Sequence, residues 1–282
     1  MKELYLCSFA SNDLQRSVER YLLEAKAMNV YQSIKVYKEE DLPNNVKKQI
    51  ENFFSLNQKR LYGYACWKAF IIKDFLKSIP KNSIVQYSDI GCHFNINGKK
   101  RLQEYAEMCG KKNILGFQYN EPNYTFNQNY KYQIYIERNF TKKILLNHLK
   151  IQNNENVLNS PQFWSGTIFF KNNEFSLNFL SRWEELLAKS ELIDDSLLDE
   201  KKGSKFVEHR HDQSVFSLLC KINNIEGLSA SECEWAETKN KRTWDHLKNY
   251  PVLAKRDKKY NILKRFFNRQ RKNILRLLNK LK

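Results

Sequence analysis

Four short apolar runs constrain this chain more than any other feature: "LYLCSFA" from Leu4, "SIVQY" from Ser83, "ILGFQY" from Ile114 and "FWSGTIFF" from Phe163. Each has the length and composition of a buried strand. Helical patterns separate them. Residues 13–29 carry Leu14, Val18, Tyr21, Leu22 and Ala25 at helical spacing, behind the N-cap candidate "SNDL". "SIKVYKEEDL" then predicts a second strand followed by a polar connection. Strand, helix, strand is how a doubly wound α/β domain begins. Further helices are predicted over residues 64–77, a strongly apolar stretch, and over "GKKRLQEYAEMCGKKN". "FSLNFLSRWEELLAKS" and "HDQSVFSLLCKI" predict two amphipathic ones. Residues 120–160 are polar, Asn-rich and aromatic, the composition of a binding loop, with a short helix near "TKKILLNHL". The expectation is one α/β domain over residues 1–258 and a basic amphipathic helix over 259–282.

Composition narrows the function. At 282 residues with 41% hydrophobic and 13% aromatic content, the chain can bury a large core. Eight Gly and five Pro leave no room for long flexible linkers, and neither GxGxxG nor GxxxxGK[ST] occurs. The six cysteines, at 7, 66, 92, 109, 220 and 233, contain no CxxC pair, so no zinc cluster or small disulfide framework is expected. Scattered thiols behind an amino terminus without an apolar leader suit a reducing cytoplasm. No run reaches the roughly 18 apolar residues of a membrane span. The net charge of +17 is concentrated late: from Lys255 to Lys282 there are twelve Lys or Arg against one acid, Asp257.

Three polar clusters sit at strand or helix ends. Tyr87-Ser88-Asp89-Ile90-Gly91 closes an apolar strand on a single carboxylate. Trp164-Ser165-Gly166-Thr167 opens another strand, and "EHRHDQS", Glu208 to Ser214, opens a helix. A turn explains Asp89 as well as a ligand site does, because Asp and Gly are common where strands stop. Open α/β sheets, however, bind ligands at the carboxyl ends of their strands. Asp212 is also simply a carboxylate at a helix amino end. For each side chain alone the structural role suffices, and the three clusters together favour function.

The "YSDIG" block resembles the metal-binding DxD-type motif of GT-A glycosyltransferases, with one acid instead of two. Over longer stretches "CSFASNDLQRS", "KRLYGYACWKAFII", "YSDIGCHFNINGKKRL", "WSGTIFF", "EHRHDQSVFSLL" and "PVLAKRDK" occur in one order. Together they resemble a family of bacterial GT-A-type glycosyltransferases of surface polysaccharide and lipopolysaccharide synthesis, which usually carries Pro where Ala69 stands. "HDQS" and "SGT" are further similar to blocks of retaining glycogenin-like and blood-group-like transferases.

The resemblance implies a single GT-A, Rossmann-like domain with a mixed, mostly parallel sheet flanked by helices. It implies transfer of a hexose-type sugar from a nucleotide sugar, a UDP-sugar first among them, with retention and with Mn2+ or Mg2+. Asp89 and His209 would hold the cation. Phe9, Ala10 and Ser11 would meet the base and ribose. Arg60, Lys68 and Lys255 would face the diphosphate, with Arg256 beside the last. Ser165, Gly166 and His211 would lie by the sugar, while Asp212 and Gln213 would serve the reacting carbon. Trp164, Trp67 and His246 are weaker candidates for the same site.

The tail "NILKRFFNRQRKNILRLLNKLK" places Leu263, Phe267, Ile274, Leu278 and Leu281 along one face among basic residues. Such a helix suits an anionic membrane surface, which implies a peripheral protein on the cytoplasmic face with a lipid-linked or oligosaccharide acceptor. Two other classes remain open from sequence. A nucleic-acid-binding protein would use the charge and the aromatics, but no RRM, KH or zinc pattern is present and no nucleic acid is expected. A non-catalytic nucleotide-sugar or glycan-binding protein would follow if the single Asp89 were insufficient.

Overall fold

Ile84–Ser88 is buried at every position, the pattern of a strand with neighbours on both edges and layers on both faces. In the computed structural model, which describes residues 2–122, 130–196, 205–255 and Gln270, it lies inside a six-stranded sheet. The strands in chain order are β1 (Leu4–Phe9), β2 (Tyr31–Tyr37), β3 (Ile84–Ser88), β4 (His93–Phe94), β5 (Ile114–Gln118), β6 (Phe163–Lys171), β7 (Gly227–Ser229), β8 (Ala236–Thr238), β9 (Lys241–Thr243) and β10 (Val252–Leu253). The main sheet runs β2-β1-β3-β6-β5-β7, while β4–β10 and β8–β9 form separate two-stranded pairs. β6 is antiparallel to β3 and β5, and the remaining pairings of the main sheet are parallel. The expected mixed, mostly parallel α/β sheet is therefore the fold.

The chain leaves β1 for β2 on one side and reaches β3 on the other, so the sheet order switches at β1. Ligand clefts form at such points, beyond the carboxyl ends of the strands. The antiparallel β6 brings its amino-terminal residues to that same edge. The register pairs Ser88 with Thr167, and the Asp89 N–H donates to the Gly166 carbonyl at 2.8 Å. Ser165 thus arrives beside Asp89.

Helices cover both faces. On one, Lys68–Ser78, Glu174–Leu187 and His211–Ile222 pack with Asn44–Ser55 into the larger apolar core. On the other, Gln15–Ala27 and Lys99–Lys112 enclose a second core around Tyr21, Tyr105 and Phe117. Asn44–Ser55, a helix not among those expected, buries Val46, Ile50 and Phe53. His211–Ile222, expected to be amphipathic, is buried at every residue from His211 to Cys220. Its serines face a polar network instead of water. The six cysteines are buried thiols. No helix among the described residues is long and apolar enough to cross a membrane. The tail helix expected over 259–282 lies outside the described residues, apart from Gln270.

The helix expected over 64–77 begins only at Lys68. Before it, Leu61, Tyr62, Gly63, Tyr64 and Ala65 all have positive φ, between 50° and 77°. This is a left-handed turn, with Tyr64 N–H donating to the Arg60 carbonyl at 2.8 Å and Ala65 N–H to Leu61 at 3.2 Å. Left-handed helix costs an L-residue about 1–2 kcal/mol, so packing must hold it. Tyr64 is buried, donates to Asp195 Oδ2 at 3.1 Å and meets the edge of Phe53; Trp67 Nε1 donates to the Tyr62 carbonyl at 3.2 Å.

Two substitutions test this turn by calorimetry. A Cβ on Gly63 would lie 2.8 Å from Ile50 Cγ1, so Gly63→Ala should lose about 2 kcal/mol or more. Ala65→Gly should be neutral or stabilising by up to about 1 kcal/mol. A clear loss of stability in Ala65→Gly would contradict the left-handed turn.

Candidate functional site

The edge formed by β1, β3 and the start of β6 opens into a cleft of about 650 Å³. Its floor is a buried charge cluster. Lys68, on the first turn of its helix, is 3% exposed, and its ammonium donates to Asp212 Oδ2 at 2.6 Å. It lies 3.4 Å from Asp89 Oδ1 and 3.3 Å from both the Ser165 carbonyl and Ser165 Oγ. Ser165 Oγ donates to the same Asp212 oxygen at 2.8 Å. Burial opposes the ammonium charge, and the Asp212 and Asp89 carboxylates outweigh it, holding Lys68 above the ordinary lysine value. Asp212 is 3% exposed, whereas the Asp89 side chain is 43% exposed to the cleft.

Tyr87 fixes the other side of Asp89. Its hydroxyl donates to Oδ1 at 2.6 Å, and burial, then the Asp89 carboxylate, push the phenol well above its usual range, so it remains a donor. Among the described residues no hydrogen-bond partner engages Asp89 Oδ2 or Asp212 Oδ1. The aromatic wall opposite contains Phe9 stacked on Trp67, centroids 4.0 Å apart, with Tyr62 tilted against Phe9 at 5.5 Å. At the mouth Arg60 lies 3.6 Å from both Asp195 and Glu208, and the Arg210 guanidinium sits 3.8 Å over the Tyr135 ring.

The fold brings Phe9, Ser11, Arg60, Lys68, Asp89, Ser165, His211, Asp212 and Gln213 into this one cleft, with Trp67 and Trp164. It leaves out others. Ala10 belongs to the second core. Gly166 acts through its carbonyl, and the Trp164 ring lies where its Cβ would be, 2.3 Å away. Lys255 follows β10 and His246 Nε2 donates to the Ser231 and Glu234 carbonyls, neither residue lining the cleft. Tyr62 lines it from outside the three polar clusters, and Tyr87, Glu208 and Arg210, members of those clusters with no role assigned to them, line it too. For Tyr62 the sequence signal is Gly63, which marks an unusual backbone beside it.

The expected pair of metal ligands, Asp89 and His209, is not brought together. His209 is 2% exposed; its Nδ1 accepts the Lys142 N–H at 3.4 Å and its Nε2 meets the Leu192 carbonyl at 2.9 Å. With both nitrogens engaged by backbone, the ring has no lone pair for a cation. Among the described residues no three His, Cys, Asp or Glu side chains could hold a metal ion together. Of the expected pair, only Asp89 presents an oxygen to the cleft.

His211, the first residue of its helix at φ 52°, reaches the Ile193 carbonyl through Nδ1 at 2.7 Å and lies 4.6 Å from the Tyr64 ring. Burial, then Arg60, lowers its pKa; burial, then His211, lowers that of His209 well below the usual value.

The sequence matches no family model and none of the curated proteins with which it was compared. Among solved structures, the chain is similar to a glycosyltransferase involved in glycosylation of the major capsid of PBCV-1, at 10% identity and TM-score 0.46, over 89% of this chain and 91% of that one. Mouse xyloside xylosyltransferase 1, in its apo form, shows 12% identity and TM-score 0.42 over 82% and 87%. Core-mannan synthase A from Aspergillus fumigatus, in a Mn/GDP form, shows 11% identity and TM-score 0.38 over 82% and 71%.

Two measurements check the site's electrostatics. Lys68→Met strands Asp212 as a buried charge and should cost about 3–5 kcal/mol in urea unfolding. The depressed His209 pKa means that the unfolded chain takes up a proton below about pH 6.5 while the folded chain does not. Stability is therefore complete above that pH and falls on acidification, by about 1.4 kcal/mol per pH unit for this group. His209→Gln should flatten the decline between pH 6.5 and 5; an unchanged slope would show His209 already protonated in the fold.

Proposed function

We propose that the protein is a glycosyltransferase moving a hexose-type sugar from a nucleoside diphosphate sugar, a UDP-sugar first among them, to a growing bacterial surface glycan, with retention. The observation that carries this reading is the Lys68 ammonium, held charged at the floor of a cleft at the sheet's switch point. A departing diphosphate accumulates negative charge, and a preorganised cation in a water-poor site stabilises it. The cleft volume suits a nucleotide sugar. Support also comes from the six ordered sequence blocks, five of which supply side chains to this cleft.

Each group has work to do. The Phe9–Trp67–Tyr62 wall stacks a base, and Ser11 meets the ribose. Lys68, assisted from the mouth by Arg60, neutralises the leaving diphosphate. Asp89 and Asp212 turn their outward oxygens to sugar hydroxyls, and Gln213 faces the anomeric carbon. Tyr87 keeps Asp89 from swinging onto the ammonium. Because Lys68 supplies the counter-charge, the site binds its donor without a divalent cation. The basic tail docks on the anionic inner leaflet, where each Lys or Arg adds about 1 kcal/mol, beside a lipid-linked acceptor.

Thermal unfolding of the full chain with UDP-glucose, UDP-galactose, UDP-N-acetylglucosamine and GDP-mannose tests the reading. One or two of them should raise the midpoint, in EDTA as well as in manganese, and Asp89→Ala should weaken the shift. A shift abolished by EDTA would restore the cation. No shift with any nucleotide sugar, alongside salt-sensitive RNA or DNA binding, would replace the transferase with a nucleic-acid-binding protein. Binding without turnover would leave a non-catalytic nucleotide-sugar-binding protein.

A further inference from the structure

Behind the cleft lies a buried polar chain that ends on Gln213. Glu137 is fully buried, and its carboxylate accepts from Thr141 Oγ1 at 2.8 Å, Gln162 Nε2 at 3.0 Å, Lys221 Nζ at 2.7 Å and the Ser217 hydroxyl. Gln162, also fully buried, directs the same Nε2 towards the Phe140 carbonyl at 3.3 Å. A carboxylate and a peptide carbonyl are both obligate acceptors, so this end of Gln162 must be its NH2. A flipped Gln162 would set Oε1 against both, leaving buried acceptors facing each other.

The direction then propagates. Gln162 Oε1 faces Gln213 at 2.9 Å, so Gln213 must answer with its own NH2. Its carbonyl oxygen is left without a partner among the described residues, and Gln213 lines the cleft next to Asp212. We infer that Gln162, oriented by Glu137, is a positioning residue that fixes the Gln213 amide with its carbonyl oxygen, not its NH2, towards the substrate. This rests on the transferase reading for its consequence. Positive charge develops at the anomeric carbon as the diphosphate leaves, and a fixed carbonyl dipole stabilises it while forming no bond. The reversed amide would point a partial positive charge at the same place.

The first test needs no activity. In the full chain with 15N-labelled glutamine side chains, the Gln213 NH2 is identified by its loss in Gln213→Met. One of its protons should exchange with D2O at least about tenfold more slowly than those of exposed Gln15, and Gln162→Met should remove that protection. Equal exchange of Gln213 and Gln15 in the native chain would overturn the inference.

The second test follows turnover of whichever UDP-sugar shifts thermal unfolding. Gln162→Met should lower kcat by about tenfold or more while leaving KM within about twofold. Adding Gln213→Glu to Gln162→Met should recover part of that loss, because a carboxylate presents an oxygen whichever way it turns. Gln213→Glu alone should be worse than the double variant, since it sets a carboxylate against Gln162 Oε1. A Gln162 that served only packing would show additive losses, and that result would overturn the role. Absence of turnover in the native chain would sink the transferase reading, while the exchange rates would still decide the amide's direction.

Discussion

The Lys68 ammonium at the bottom of the cleft depends on everything around it. A charge removed from water is tolerated only with close partners and satisfied hydrogens, and its partners come from three places in the chain. Asp212 stands on the first turn of one helix, Asp89 follows β3 and Ser165 opens β6. An altered β6 register would carry Ser165 away, and a displaced helix would strand Asp212. The cluster therefore couples the sheet order, the direction of β6 and the seating of two helices. The same arrangement leaves one oxygen on each carboxylate turned to the cleft.

Strain and polarity are placed beside that cluster instead of in the apolar cores. The left-handed turn Leu61–Ala65 puts Tyr62 on the aromatic wall and delivers the chain to Lys68 in the right orientation. It survives because Tyr64 and Trp67 anchor it from both ends. On the far side, Ser214, Ser217 and Lys221 turn what would be the outer face of their helix towards Phe140, Glu137 and Gln162. A polar network buried this deeply stabilises only when it is fully satisfied, and full satisfaction gives it a direction. That direction ends at Gln213.

Much of the fold was legible. The buried runs at Leu4, Ile84, Ile114 and Phe163 are strands, and the helical periodicities at Gln15, Lys99, Glu174 and His211 are helices. What misled was local pattern without its partner. Tyr64 and Ala65 continue the apolar spacing of the helix after them, but their apolar groups serve a turn of the opposite hand. "EHRHD" shows imidazoles without showing which way they face, so His209 looked like a ligand while its ring was committed to Lys142 and Leu192. Val46, Ile50 and Phe53 carry helical spacing that a polar stretch disguised. Nothing in "FWSGTIFF" says whether the strand runs parallel or antiparallel, since the same residues bury equally well in either direction.

The sequence by itself determined the elements, their burial and the inventory of side chains able to do chemistry, because period and polarity are written locally. Only the tertiary structure decided which of them meet. Lys68 and Asp212 are 144 residues apart in the chain, Ser165 and Asp212 are 47 apart, and Gln162 and Gln213 are 51 apart. Their distances, the charge state of Lys68 and the orientation of the Gln213 amide are properties of packing. A local pattern records how a residue prefers to be buried, and burial alone does not say beside what.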